Sequence, residues 1–184
     1  MLYAHMKANR TPSTLIAALV VLCAFSDASA EPVRSLLEMR QEGVVVQQWD
    51  TSCGAAALAT VFTYAFKDPV SEKAVAQAML RRTDALRVKV RGGFSLLDMK
   101  RFAEARGYTA AGFRNVSFEE LLGMHSPIVP IDEYGDAHFV VVRGLREGKV
   151  DIADPGFGNR TMSIERFSAA WKEGIAFVVR REKR

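Results

Sequence analysis

The stretch QQWDTSCGAAALATV, residues 47–61, decides the fold. A polar turn leads into Cys53, and the residues that follow it are almost all small. The later apolar positions recur at the i, i+3, i+4, i+7 spacing of a buried helical stripe: Leu58, Val61, Phe62 and Ala65. This pattern predicts a core helix that begins near Cys53.

Cys53 has the surroundings of a nucleophile. Three capable N-caps precede it, Asp50, Thr51 and Ser52. At a helix N-terminus the dipole and the free N–H groups favour thiolate over thiol, so the pKa of the cysteine falls. Gln47 lies six positions upstream, where its side-chain amide would donate a hydrogen bond to a developing oxyanion. The alternative is a buried, inert cysteine.

Composition limits the class of protein. The chain has 184 residues, 49% hydrophobic and 25% charged, which is typical of one globular domain. A net charge of +4 is spread along the chain without aromatic interleaving, which argues against a nucleic-acid partner. The sequence has no phosphate-binding glycine motif and no metal-ligand pair at a recognised short spacing, so we expect no cofactor and no metal.

The N-terminus has the features of a secretory signal peptide. Basic residues precede an apolar run over residues 15–25, and Ala-Ser-Ala follows at 28–30. We expect residues 1–30 to be removed and residues 31–184 to form the exported, periplasmic domain. A retained membrane anchor is the alternative, but the apolar run is short against the ~20 residues that span a bilayer.

Export changes the meaning of the cysteines. Cys23 lies within the signal peptide, so the mature chain keeps Cys53 alone. Structural cysteines in an oxidising compartment normally come in pairs. A solitary thiol in an oxidising compartment is either buried and inert, linked to another chain, or chemically functional. We favour a chemical function for Cys53.

The order of predicted elements indicates an α+β fold. Helices are predicted from Ser71, over 96–106, from Ser117 to Gly123 and over 163–171, and the charged stretch 82–93 is interpreted as a loop bordering a cleft. Strands are predicted over 108–114, 128–133, 137–143, 149–154 and 175–180. The first half of the mature chain is thus mainly helical and the second half mainly β. This order predicts N-terminal helices packed on a C-terminal antiparallel sheet.

A cysteine nucleophile needs a base, and the mature chain offers His125 and His138. His125 lies in a turn-like segment with no sheet to hold it. His138 begins the apolar run 139–142, which is typical of a central strand. We therefore favour His138 and keep His125 as the alternative base.

Strand alternation places an acid beside His138. His138 and Val142 share one face of their strand, and Ile152 and Asp154 share one face of the next. Matching the apolar faces requires paired residue numbers to sum to an even value, and sums of 292 or 294 put the Cβ atoms of His138 and Asp154 roughly 5 to 8 Å apart. Asp154 would then orient the imidazole. Alternatively, His138 is a core histidine and Asp154 a turn former.

These motifs together resemble the C39 family of papain-like cysteine peptidases, which includes leader peptidases of bacteriocin exporters. The matching segments are 47–58, 93–107, 138–141, 153–155 and 158–159. The resemblance implies a papain-like fold with Cys53 as nucleophile, His138 as base, Asp154 orienting it and Gln47 in the oxyanion hole. Gln48 is the oxyanion donor if the motif is displaced by one residue.

The chain departs from exporter-linked members of the family. It shows no transporter or ATPase segment, and Ser52 stands where many members have aspartate. As a small exported member of the family, the chain resembles the peptidase-like component of a functional-amyloid secretion system. That resemblance implies that the substrate is an export or amyloid component. We therefore expect the partner to be a peptide or protein substrate. We expect the chain to have no stable membrane span once the signal peptide is removed. The alternatives are a non-catalytic peptide-binding module and a peptidoglycan amidase.

Overall fold

A six-stranded antiparallel sheet with helices on both faces forms the framework of the computed structural model, which describes residues 33–133 and 135–182. The α-helices of these residues are Leu36–Gln41 (α1), Cys53–Thr60 (α2), Glu72–Leu80 (α3), Ala85–Arg91 (α4), Leu96–Ala105 (α5), Phe118–Leu122 (α6) and Ile164–Ala170 (α7). A π-helical turn, Val61–Ala65, extends α2, and a 3-10 turn, Lys172–Gly174, follows α7.

The strands are Tyr108–Phe113 (β1), Ile128–Glu133 (β2), Asp136–Arg146 (β3), Lys149–Asp154 (β4), Gly158–Met162 (β5) and Ala176–Arg181 (β6). Their order in the sheet is β1-β6-β2-β3-β4-β5, and each neighbouring pair is antiparallel. The predicted α+β class with an antiparallel sheet is therefore confirmed. The strand that carries His138 lies inside the sheet, as its apolar run predicts.

The core has one layer on each face of the sheet. Val141 and Ala153 face the layer that contains Leu58 and Phe62 of the cysteine helix. The alternate residues of the same strands face the layer formed with α6 and α7: Val140, Val142, Val150 and Ile152. Because every residue of α2 is buried, its small side chains let the helix approach the sheet closely.

The helix starts follow the predicted caps. Ser71 caps α3, and Ser95 and Ser117 form capping boxes with the acid three residues later. The prediction of a loop over 82–93 is wrong, because most of this stretch forms helix α4. Asp84 caps the start of α4, and Gly92 ends it with a φ of 81°. Two apolar residues of α4 face solvent, so the helix lacks a clear amphipathic period.

Strand β5 was not predicted, because its sequence, GNRTM, has the residues of a turn. Pairing with β4 stabilises it as the sheet edge. The β3–β4 hairpin has the predicted even register beside the site: Val141 pairs with Ala153 and Val142 with Ile152, both summing to 294. An irregularity between Val142 and Gly144 changes the sum to 295 near the turn.

The predicted signal peptide, residues 1–30, lies outside the described residues. The described residues from Arg34 to Glu182 form one compact unit. Among the described helices, none combines the length and apolarity required to cross a membrane.

Candidate active site

A cleft of about 1260 Å³ lies where the N-terminus of α2 meets the sheet. The predicted site residues Gln47, Cys53 and His138 all line it. Its other walls come from the ends of α1 and α4, from β2, and from the segment 156–161. The stretch 82–93 therefore borders the cleft as predicted, through Arg91 and Gly92, although it does so as a helix end.

Cys53 is the first residue of α2, and its thiol is free and buried, with 7% of the residue exposed. Burial raises the pKa of this thiol, but hydrogen bonds with His138 and with the backbone of Phe139 and Gly54 outweigh burial. The net result is a pKa below the ordinary value of a cysteine. The position thus favours thiolate, as expected at a helix start.

His138 is bound by a carboxylate. Its Nε2 lies 2.6 Å from Oδ1 of Asp154, and 19% of its side chain is exposed. Burial lowers the pKa of the imidazole, but the hydrogen bonds and charges of Asp154 and Cys53 raise it to about 9. A lowered pKa for the thiol and a raised pKa for the imidazole favour the thiolate–imidazolium pair.

Asp154 ends β4 and is fully buried. Besides His138, its Oδ1 accepts hydrogen bonds from the N–H groups of Gly156 at 2.8 Å and Phe157 at 3.2 Å, so the residue also builds the turn that its sequence indicated. Its Oδ2 accepts from Nε of Arg160 at 2.7 Å. Burial raises the pKa of this carboxyl, but the His138 and Arg160 contacts lower it below its usual range.

Gln47 connects the turn before Cys53 with the turn after Asp154. Its backbone N–H donates to the carbonyl of Pro155 at 2.8 Å, in the turn after Asp154. Its side-chain Nε2 donates to the carbonyl of Trp49 at 3.2 Å, which leaves one of the two amide hydrogens for another acceptor. Oε1 is buried and finds no donor among the described residues. Gln48 does not line the cleft, and its side chain is exposed.

Glu72 holds the turn before Cys53, a role that the sequence did not indicate. It is 4% exposed and accepts from the backbone N–H of Gln48, at 3.0 Å and 3.1 Å to its two oxygens, and from the hydroxyl of Ser52. Ser52 therefore binds this carboxylate and makes no side-chain cap to α2, contrary to its predicted capping. Glu72 looked like an ordinary first-turn acid because its partners lie about 20 residues away.

The alternative base, His125, lies elsewhere. It is exposed, and its ring centroid is 6.1 Å from that of Phe66. It does not line the cleft that contains Cys53. Within the described ranges, no three His, Cys, Asp or Glu residues are grouped as a metal site requires.

The sequence model of the Peptidase C39 family matches residues 41–183. The chain belongs to the peptidase C39 family. It is 38% identical over 148 residues to the probable functional amyloid protease FapD of Pseudomonas aeruginosa and 40% identical to that of Pseudomonas fluorescens. Both alignments cover 80% of this chain and 64% of the relative, so the chain spans under two thirds of the length of these curated relatives.

Solved structures of peptidase domains have the same fold. The peptidase domain of Streptococcus ComA, a bi-functional ABC transporter, aligns with a TM-score of 0.62 at 22% identity, over 76% of this chain and 98% of that domain. A double glycine motif protease from an AMS/PCAT transporter, in complex with its leader peptide, aligns with a TM-score of 0.58 at 26% identity. That alignment covers 76% of this chain and 91% of the protease. The C39 fold expected from the sequence is confirmed.

Proposed function

We propose that this C39 family member is an exported cysteine peptidase in which Cys53 is the nucleophile, His138 the general acid and base, and Asp154 the residue that orients the imidazole. The observation that carries the proposal is a free, buried thiol at a helix start that shares a cleft with an imidazole bound 2.6 Å from a buried carboxylate. Gln47 supplies the oxyanion donor.

The hydrogen bond with Asp154 supports Nδ1 as the nitrogen of His138 that reacts. Nε2 is held by Asp154, so Nδ1 exchanges a proton with the sulfur of Cys53. The Cys53 thiolate attacks a peptide carbonyl, and the oxyanion is stabilised by the amide of Gln47 and the backbone N–H of Cys53. The imidazolium then donates its proton to the leaving amine as the C–N bond breaks, which leaves a thioester.

Hydrolysis completes the cycle. The neutral imidazole of His138 takes a proton from water, and the resulting hydroxide adds to the thioester carbonyl. When the C–S bond breaks, the carboxylic acid product leaves and the thiolate–imidazolium pair is restored. The two halves of the reaction thus use one imidazole, first as acid and then as base.

Two observations bear on location and substrate. The basic residues, apolar run and small-x-small site over residues 1–30 have the form of a cleavable signal peptide, which supports export to the periplasm. The relatives at 38% and 40% identity are described as probable functional amyloid proteases. The proposed substrate is therefore an exported polypeptide, such as an amyloid component.

The proposal is tested with peptides derived from denatured secreted proteins of the source organism. The purified chain, Cys53→Ala and His138→Ala are each incubated with this mixture, and new termini are read by mass spectrometry. His125→Ala is the matched control, because it removes the other described histidine outside the cleft. We expect new peptide termini with the wild type and with His125→Ala, and none with Cys53→Ala or His138→Ala. The same termini with Cys53→Ala would refute the nucleophile.

A further inference from the structure

Arg160 lies directly behind the proposed triad. It is on β5, opposite Ile152 of β4, and 21% of its side chain is exposed. Its Nε donates to Oδ2 of Asp154 at 2.7 Å, while its Nη2 donates to the carboxylate of Glu133 on β2. The guanidinium also packs over the ring of Phe157, 5.7 Å from the centroid. One side chain therefore joins two carboxylates from different strands.

The network continues to the cleft wall. Glu133 also accepts from Nη2 of Arg166 on α7 at 2.5 Å, and its side chain is 16% exposed. Arg160, Glu133 and Arg166 all line the cleft that contains Cys53. Positive and negative side chains therefore alternate along one chain of contacts. It starts at the His138 imidazolium and continues through Asp154, Arg160, Glu133 and Arg166.

We propose that Arg160 is a positioning residue, whose guanidinium fixes the Asp154 carboxylate and thereby both the orientation and the acidity of the His138 imidazolium. The proposal rests on the proposed function for its effect on turnover. Its effect on His138 itself does not require a substrate.

Orientation follows from the two oxygens of Asp154. Oδ1 binds the imidazole and two backbone N–H groups, whereas the donor to Oδ2 is Arg160. Without that donor, Oδ2 would be a buried, unpaired acceptor, and the carboxylate would rotate more freely about its Cβ–Cγ bond. A planar guanidinium can bind Asp154 and Glu133 with separate N–H groups in fixed directions, which the point charge of a lysine cannot reproduce.

Acidity follows from the charges. The groups around the imidazole are the Cys53 thiol from α2, Asp154 from β4, Arg160 from β5, and, one step further, Glu133 from β2 and Arg166 from α7. A cation beside Asp154 weakens the hold of that carboxylate on the imidazolium proton. Arg160 therefore keeps the imidazolium acidic enough to protonate a leaving amine.

The test compares Arg160→Met with Arg160→Lys by NMR titration of isotope-labelled His138, together with the rate of Cys53 alkylation by iodoacetamide. Arg114→Met is the matched control, because Arg114 forms an exposed ion pair with Glu173 outside the cleft. In Arg160→Met we expect the pKa of His138 to rise by roughly one pH unit. Arg160→Lys keeps the charge, so its His138 should titrate close to the wild type, as should that of the control.

In Arg160→Met the N–H groups of Gly156 and Phe157 still hold Oδ1 beside the imidazole, so the His138–Asp154 hydrogen bond should persist while the carboxylate loses its second anchor. The direction of the pKa change therefore separates the effect of the Arg160 charge from a loss of the His138–Asp154 contact. A merely structural role would free the imidazole from Asp154, and the pKa of His138 would fall towards its ordinary value of 6.5. A fall or no change in Arg160→Met would overturn the proposal, as would equal values for the Met and Lys variants. On a cleaved peptide, we expect kcat of Arg160→Met to fall roughly 10- to 100-fold.

Glu133→Gln supplies a second, opposite test that holds even if Arg160→Met does not fold. It removes the outer carboxylate and leaves the cation of Arg160 less compensated, so the pKa of His138 should fall. An unchanged pKa of His138 in Glu133→Gln would count against the network. If no peptide is cleaved by the wild type, the proposed function fails, while the titrations still decide whether Arg160 controls the imidazole.

Discussion

Replacing Asp154 with asparagine should remove most of the protonated imidazole at mildly alkaline pH. The contacts with Asp154 and Cys53 raise the pKa of His138 from 6.5 to about 9. A difference of about 2.5 pH units corresponds to about 3.4 kcal/mol of preference for the imidazolium. At pH 8, about nine in ten imidazoles are protonated with a pKa of 9, against about 3% with a pKa of 6.5. If Asp154→Asn abolishes the whole rise, the imidazolium population falls about 30-fold.

The assay is the pH dependence of Cys53 alkylation by iodoacetamide, followed in parallel with peptide cleavage. In Asp154→Asn, the alkaline limit of cleavage should move from about pH 9 towards neutrality, and alkylation at pH 6 should slow because less thiolate is stabilised. Asp151→Asn is the matched control, since Asp151 lies on the same strand and pairs with Arg146. An alkaline limit that stays near pH 9 in Asp154→Asn would refute this reasoning.

Three further changes test separate parts of the structure. Gln47→Ala should lower kcat roughly 100- to 1000-fold by removing an oxyanion donor, whereas Gln48→Ala should keep kcat nearly unchanged; equal losses would contradict the assignment. Leu58→Ala, in the fully buried helix α2, should cost about 2–5 kcal/mol in the free energy of unfolding by urea, and Leu86→Ala, at 66% exposure, under about 0.5 kcal/mol. Burial raises the pKa of Asp98, but Ser95, Thr83 and Arg91 lower it below 3.8, so its charge stabilises the fold above that pH. The destabilisation by Asp98→Asn should therefore shrink in urea titrations as the pH falls below about 4, and a constant difference would contradict it.

The parts of the site that sequence could predict are governed by periodicity. Helical spacing of apolar residues after Cys53 places the thiol at a helix start, and the structure begins α2 at that residue. Strand alternation and an even hairpin register bring His138 and Asp154 together, and the observed sum of 294 is one of the two that were expected. Both inferences use only local geometry and the burial of apolar faces.

The features that sequence missed depend on distant partners. In α4, Leu86 and Val90 face solvent at 66% and 81% exposure, so no apolar stripe marks the helix. Polar β5 is a strand because β4 pairs with it. Glu72 and Arg160 have ordinary positions in their own elements, and only the tertiary fold places Glu72 beside the turn before Cys53 and Arg160 beside Asp154.

The most direct test of the central claim compares the termini of exported proteins, by mass spectrometry, between the wild-type organism and one that produces Cys53→Ala at the same level. If Cys53 is the nucleophile of an exported peptidase, a defined set of termini will be present in the wild type and replaced by uncut precursors in the variant. Identical termini in the two strains, with Cys53→Ala folded and exported, would contradict the account.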